Sequence, residues 1–207
     1  DFFDTDSTNV IFADQEHLDN ANDSIYSLIG ILNKLQAIGD RTILFGEARG
    51  DLVDVTSSTP ADLRDLALFN VGDSNVYNSP RDYYAVINNC NYYIEHVKKD
   101  LKNNRNEYIF MGEYAAVKAI RAWTYLQLVT TYGSVPFVTT PIMTKEDSER
   151  DYPVKDIAGV CSYFLDEDSL QSLVDVDYPY FGDIKSVPSR LFYIPMNLIL
   201  GDLNLWA

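Results

Sequence analysis

The sequence predicts an all-α fold of about six helices packed as antiparallel pairs, with an irregular opening segment. Three observations carry this prediction. Apolar residues recur at three- and four-residue steps over long stretches, which is the pattern of a helix with one buried face. Helix-opening signals stand between these stripes, separated by fairly short linkers. Alternating β-branched runs, which would mark strands, are few. Hydrophobic residues make up 46% of the 207, enough for a sizeable core and too many for wholesale disorder.

The first helix is expected from about Gln15 to Ile38, where Leu18, Ala21, Ile25, Leu28, Ile29, Leu32 and Leu35 share one face. Asp14 is its expected N-cap and Gly39 its stop. A segment with glycines and charges follows, Gly39 to Ser58. Thr59-Pro60-Ala61-Asp62 then opens a short helix: a capping threonine, proline at the first helical position and an acid at the third. Ser79-Pro80-Arg81-Asp82 repeats the pattern and starts a helix with Tyr83, Val86, Ile87, Cys90, Ile94, Val97 and Leu101 on one stripe.

The next helix, near Asn106 to Thr131, is apolar almost all round in its second half, as in a helix buried at the middle of a bundle. Gly133 and Pro136 end it. Beyond the acidic loop Met143 to Asp151, a helix is expected near Val154 to Val174. The stretch Asp175 to Pro188 is aromatic and turn-rich. A final apolar helix begins near Ser189 and is still running at Trp206 and Ala207, so the chain reads as the N-terminal part of a longer protein.

Charge narrows the choice of partner. Sixteen Lys and Arg face 31 Asp and Glu, a formal charge of -15, so phosphate backbones and anionic membrane surfaces are repelled. Nucleic acid is excluded on this ground, and neutral ligands, cations or proteins are left. The 15 Tyr and 10 Phe suit sugars and protein interfaces, although most are expected to fill the core. No apolar stretch reaches the roughly 18 residues of a membrane span, and the acidic opening Asp1 to Asn9 is no signal peptide. Cys90 and Cys161 read as buried free thiols.

Catalytic patterns are largely missing, and the expectation is a protein that is not an enzyme and needs no cofactor. His17 and His96 are read as exposed helix residues without partners at ligand spacing. Asp147/Glu149/Asp151, Asp166/Glu167/Asp168 and Asp175/Asp177 match no calcium loop and are read as solvated surface charge rather than a metal site. A paired-carboxylate glycosidase remains open from sequence, because the separation of such a pair is spatial. The candidate ligand residues are Arg49, Asp51 and Asp54 in the irregular segment and Asn75 and Tyr77 in the loop before the third helix. A planar donor, acceptors and an aromatic platform are what sugar hydroxyls and C–H faces require. The alternative for each residue is a contact that orders its loop.

The run Glu113-Tyr-Ala-Ala-Val-Lys-Ala-Ile-Arg121-Ala-Trp-Thr-Tyr125-Leu-Gln-Leu-Val-Thr-Thr-Tyr132-Gly133-Ser-Val135-Pro136 resembles the SusD/RagB family, in which a Glu, an Arg-Ala pair and an aromatic helix lead into Tyr-Gly-x-Val-Pro. Tyr84 to Asn91, the opening Asp1-Phe-Phe-Asp4 and the tail Pro188 to Ala207 are similar to further parts of that family. The resemblance implies residues 1–207 as the N-terminal helical part of a surface lipoprotein of a Bacteroidetes-type outer membrane, its helix pairs TPR-like and its C-terminal half outside this sequence. It further implies a SusC-like TonB-dependent transporter as partner and an oligosaccharide, or a peptide in the RagB branch, as nutrient ligand. The lipid-bearing cysteine of such proteins is not among these residues, so membrane attachment through an N-terminal lipid is implied rather than seen. The Glu113/Arg121 helix would be scaffold, with Arg121 buried and paired. The alternative is a TPR-type protein-interaction scaffold without a small ligand, although no repeat of about 34 residues is visible.

Overall fold

The computed structural model describes Leu18, residues 21–50 and residues 53–207. Among these the fold is all-α, with helices α1 (Ala21–Glu47), α2 (Ala61–Ala67), α3 (Arg81–His96), α4 (Met111–Tyr132), α5 (Lys145–Ser148), α6 (Ile157–Ser162) and α7 (Met196–Trp206). Two minimal antiparallel pairings accompany them: β1 (Val135–Pro136) with β2 (Val154–Lys155), and β3 (Asp183–Ile184) with β4 (Val187–Pro188). No described helix is long and apolar enough to cross a membrane.

Helix α4 is the hub and packs against α1, α3, α6 and α7. Its composition explains the position. Ala115, Ala116, Ala119 and Ala122 are fully buried and let neighbouring helices approach closely, while Val117, Ile120, Leu126, Leu128 and Val129 fill the space between them. Each of these larger side chains stabilises the core by about 1.5–3 kcal/mol relative to exposure.

Several sequence-derived boundaries need correction. Helix α1 does not stop at Gly39 but continues to Glu47. A glycine inside a helix costs only about 1 kcal/mol. Here the extension is anchored at Arg41, which pairs with Asp82 and donates to the Ser79 carbonyl at the start of α3. The proposed Asp14 cap lies outside the described residues. Neither α2 nor α3 has a side-chain cap. Thr59 instead accepts the Thr56 N–H at 2.9 Å, tightening the preceding turn. Helix α4 begins at Met111 rather than Asn106, because the Asn103 carboxamide captures the Arg105 and Glu107 amides and Asn106 is left-handed at φ 64°.

The helix expected over Val154 to Val174 is broken into four pieces. Lys155 and Val154 pair with β1, and Asp156 caps α6 through the Gly159 N–H. A π-turn (Tyr163–Glu167) follows, and then a 3-10 turn (Leu170–Leu173) beyond Ser169 at φ 55°. The last helix starts at Met196 instead of Ser189, since Pro195 forces Ile194 out of helical conformation. Ser189–Phe192 forms a separate 3-10 turn.

The segment that leaves α4 is fastened by side chains rather than by a sheet. Tyr84 donates to the Pro136 carbonyl, and the Tyr125 hydroxyl both accepts the Val138 N–H at 2.7 Å and donates to the Val138 carbonyl at 2.8 Å. Asn91 donates to the carbonyls of Val138 and Thr140. The Asn88 carboxamide closes a two-way pair with Ile142. Tyr84, Asn88 and Asn91 fall in the Tyr84 to Asn91 run and Tyr125 and Pro136 in the Glu113 to Pro136 run, and all of them fasten this one segment.

Glu113, in the first turn of α4, is buried and desolvation pushes its carboxyl up from the ordinary 4.5, against the bond it accepts from its own backbone N–H. A raised pKa means the folded state holds the proton more tightly, so the contribution of Glu113 is complete below pH 4.5 and declines as pH rises through the folded value. Glu113→Gln, a mimic of the protonated form, is therefore expected to raise the melting temperature at neutral pH. The difference from the parent should close in acid. A neutral-pH melting temperature below the parent's would show that the carboxylate is stabilised by its surroundings.

Candidate functional site

Three of the five sequence-predicted ligand residues meet one corner of the fold. Arg49 follows the last turn of α1, and its guanidinium lies 5.3 Å over the ring of Phe69. Phe45, one turn earlier on α1, meets the edge of Tyr77 at 6.5 Å. Asn75 orders the loop between them and is only 6% exposed. Its amide donates to the Asp62 carbonyl and its oxygen accepts the Tyr77 N–H. Asp54 is exposed and accepts the Val55 N–H. Asp51 lies outside the described residues.

Phe69, which the sequence reading did not single out, is the most distinctive residue of this corner. It follows the C-cap of α2, where the Phe69 N–H bonds the Leu66 carbonyl and the Asn70 N–H bonds the Asp65 carbonyl. That is a Schellman ending, and its left-handed position normally takes glycine. Phe69 occupies it at φ 56° with 71% of its surface exposed. A bulky residue there costs about 1–2 kcal/mol. The strained backbone holds a bare aromatic face outward beside a planar cation.

A concave feature lies beside the start of α4. It is a groove of about 560 Å³ between the α3–α4 loop and the 3-10 turn. One wall carries a buried ion cluster. Arg121, 2% exposed, donates to Asn91 at 2.9 Å and to Asp168 Oδ1 at 2.8 Å. Lys118, 6% exposed, bonds the Asp168 carbonyl at 2.6 Å and lies 3.1 Å from the same Oδ1. Burial pushes the Lys118 ammonium below its ordinary value, against the opposing pull of Asp168. The π-turn makes this cluster possible, because the Asp168 N–H bonds the Tyr163 carbonyl five residues back and turns the carboxylate onto α4.

Comparison with known proteins gives no match to a family model, to a curated protein or to a solved structure. Function therefore rests on the geometry.

Asp168 corrects a sequence-derived expectation. The Asp166/Glu167/Asp168 group is not uniformly solvated: the first two are exposed, but Asp168 is buried between two cations. Asp147 is also committed, to the capping box of α5 and to Arg150. His96 is half-buried, stacked on Tyr92 at 4.2 Å and bonded to the Tyr92 carbonyl, rather than exposed. Cys90 and Cys161 are free and buried, as the sequence indicates. The hint that could have found Phe69 is an aromatic where a helix stop calls for glycine. Nothing local marks Asp168, since its partners lie 47 and 50 residues away.

Proposed function

We propose that this chain is a SusD/RagB-like nutrient-binding component of a TonB-dependent uptake system, which captures a neutral oligosaccharide without chemistry and presents it to a SusC-like transporter. The arrangement of the helices as antiparallel, TPR-like pairs, lipid anchoring at the outer-membrane surface and exclusion of nucleic acid belong to the same proposal. The observation that carries it is the exposed face of Phe69 held beside Arg49 in a conformation that costs stability. Backbone strain retained at an exposed aromatic points to a use for the ring. A sugar would stack its C–H face on Phe69 and take directional bonds from Arg49, with Tyr77 at the margin.

Binding by these 207 residues alone is expected to be weak, in roughly the millimolar range, because ordering the loop side chains costs about 0.5–1.5 kcal/mol each. The test is an NMR titration with a panel of neutral oligosaccharides on the parent and on Phe69→Gly. The glycine variant relieves the left-handed strain, so its melting temperature should hold or rise while the shifts at Arg49 and Tyr77 disappear. Unchanged shifts in Phe69→Gly would remove this face from the ligand site. A reading frame for a TonB-dependent transporter beside the gene would support the uptake assignment independently.

The alternative, a protein-interaction scaffold, has one observation in its favour: α7 exposes Leu198, Leu205 and Trp206. It predicts partner binding that Leu205→Glu abolishes and Phe69→Gly leaves intact.

A further inference from the structure

We propose that the groove between the α3–α4 loop and the 3-10 turn is a second ligand site, for a small hydroxylated carboxylate of the sugar-acid type. The charge balance is the first reason. The chain as a whole is strongly acidic, with 16 basic residues against 31 acidic ones. Yet the lining of this groove carries two ammonium groups, Lys99 and Lys118, against the single carboxylate of Asp168, whose Oδ1 is also held by the buried Arg121 behind the wall. Lys99, at the rim, has no ion pair among the described residues. Its Nζ sits 5.3 Å from the centre of the Tyr114 ring, and Lys118 Nζ sits 5.4 Å from the same ring. Asp100 is the neighbouring acid that acts on Tyr114, and it offsets only part of this charge. A concave surface with surplus positive charge attracts an anion.

The second reason is an acceptor without a donor. Asp168 is more than nine-tenths buried and lines the groove, and its Oδ2 atom has no hydrogen-bond partner among the described residues. A buried acceptor left unpaired is costly, and a turn of the Asp168 side chain that brings Oδ2 to the groove would let a ligand hydroxyl satisfy it. Ser172, also in the lining, uses its proton on the Ser169 carbonyl and keeps its lone pairs for a second hydroxyl. The third reason is the apolar floor of Met111, Leu173 and Val176 beside the Tyr108 ring, which suits the C–H face of a saturated ring. Carboxylate, hydroxyl donors and a C–H face together describe a sugar acid. A volume of about 560 Å³ is ample for a monosaccharide.

The experiment titrates the whole 207-residue chain with D-glucuronate, D-glucose and inorganic phosphate, read by calorimetry and by backbone amide shifts. Glucuronate is expected to shift the amides around Lys99, Tyr114 and Ser172 and to bind at least about fivefold more tightly than glucose or phosphate. Lys99→Gln, at an exposed position, should weaken glucuronate by at least about fivefold with an unchanged melting temperature. Phe69→Gly should leave glucuronate binding intact, which separates this site from the one at Arg49. Glucose binding as tightly as glucuronate would overturn the charge argument. Phosphate binding as tightly would reduce the groove to an unspecific anion site and overturn the ligand class. Absence of glucuronate binding, or binding indifferent to Lys99→Gln, would overturn the site itself.

Discussion

Asp168→Asn is expected to lower the free energy of unfolding by about 3–5 kcal/mol, the usual result of breaking a buried ion pair from one side. The substitution keeps the shape and removes the charge, leaving Lys118 and Arg121 as buried cations around a neutral amide. Arg121→Ala should cost a similar amount, since it leaves Asn91 Oδ1 without its donor and opens a void against Phe164, whose ring lies 5.9 Å from the guanidinium. Because both changes dismantle one network, the double variant should lose less than the sum of the two. Chemical denaturation of the parent, both singles and the double measures the coupling. A loss below about 1 kcal/mol for Asp168→Asn would mean that water reaches and screens the cluster.

That network shows where sequence reasoning succeeds and where it stops. The stripes on α3 and α4 are legible because a helix face repeats locally every three or four residues, and Val86, Ile87, Val117 and Ile120 are buried as their spacing requires. A buried, paired Arg121 was expected from the resemblance to the SusD/RagB family, and the residue is 2% exposed and bonded to Asn91 and Asp168. The identity of the acidic partner could not be read, since Asp168 lies in a stretch whose acids resemble any solvated turn. The helix predicted over Val154 to Val174 failed for the same reason. Tertiary demand from Lys118 and Arg121 accompanies a π-turn and a left-handed serine that local propensity does not encode. The extension of α1 past Gly39 failed in the opposite direction, where Arg41 reaches α3 and outweighs a weak helix former.

The candidate ligand residues divide along the same line. Arg49 and Tyr77 were singled out because irregular segments that carry a guanidinium or a ring are where ligand contacts concentrate, and in the fold each meets an aromatic ring, Phe69 and Phe45. Asn75 fits its sequence alternative, an amide that orders its own loop. Phe69 depends on backbone geometry, and a phenylalanine becomes informative only once it is known to occupy the left-handed position of a helix ending.

The chain is expected to unfold cooperatively in alkali between about pH 10 and 12. Burial, with a smaller contribution from Tyr132, pushes the Tyr83 phenol from 10.0 up to about 12, and burial does the same for Tyr178. Tyr84, Tyr93, Tyr125 and Tyr193 are also pushed up, chiefly by desolvation, and the buried Cys90 thiol rises from 9.0 to about 12. In each case the folded state holds the proton more tightly than the unfolded chain. The stability these groups contribute is therefore complete below their unfolded values and is lost as pH rises through their folded ones. For Tyr83 alone the loss amounts to about 3 kcal/mol. A few such groups together reach the roughly 5–15 kcal/mol that is typical of a whole domain. Lys118 has the opposite sign, because its lowered pKa means that its burial penalty fades as pH approaches 10.5, but one lysine cannot offset several phenols. Helical circular dichroism and the buried phenols' share of the tyrosinate absorbance should change together, since those phenols ionise only as the core opens, whereas exposed tyrosines such as Tyr26 and Tyr108 need no unfolding. Tyr83→Phe should move the midpoint to higher pH with little loss at neutral pH, because the buried Tyr83 hydroxyl has only a weak polar contact, with Thr131, and no well-formed hydrogen bond among the described residues. Helicity that survives beyond pH 12, or a midpoint that Tyr83→Phe leaves in place, would show that these phenols reach solvent before the fold gives way.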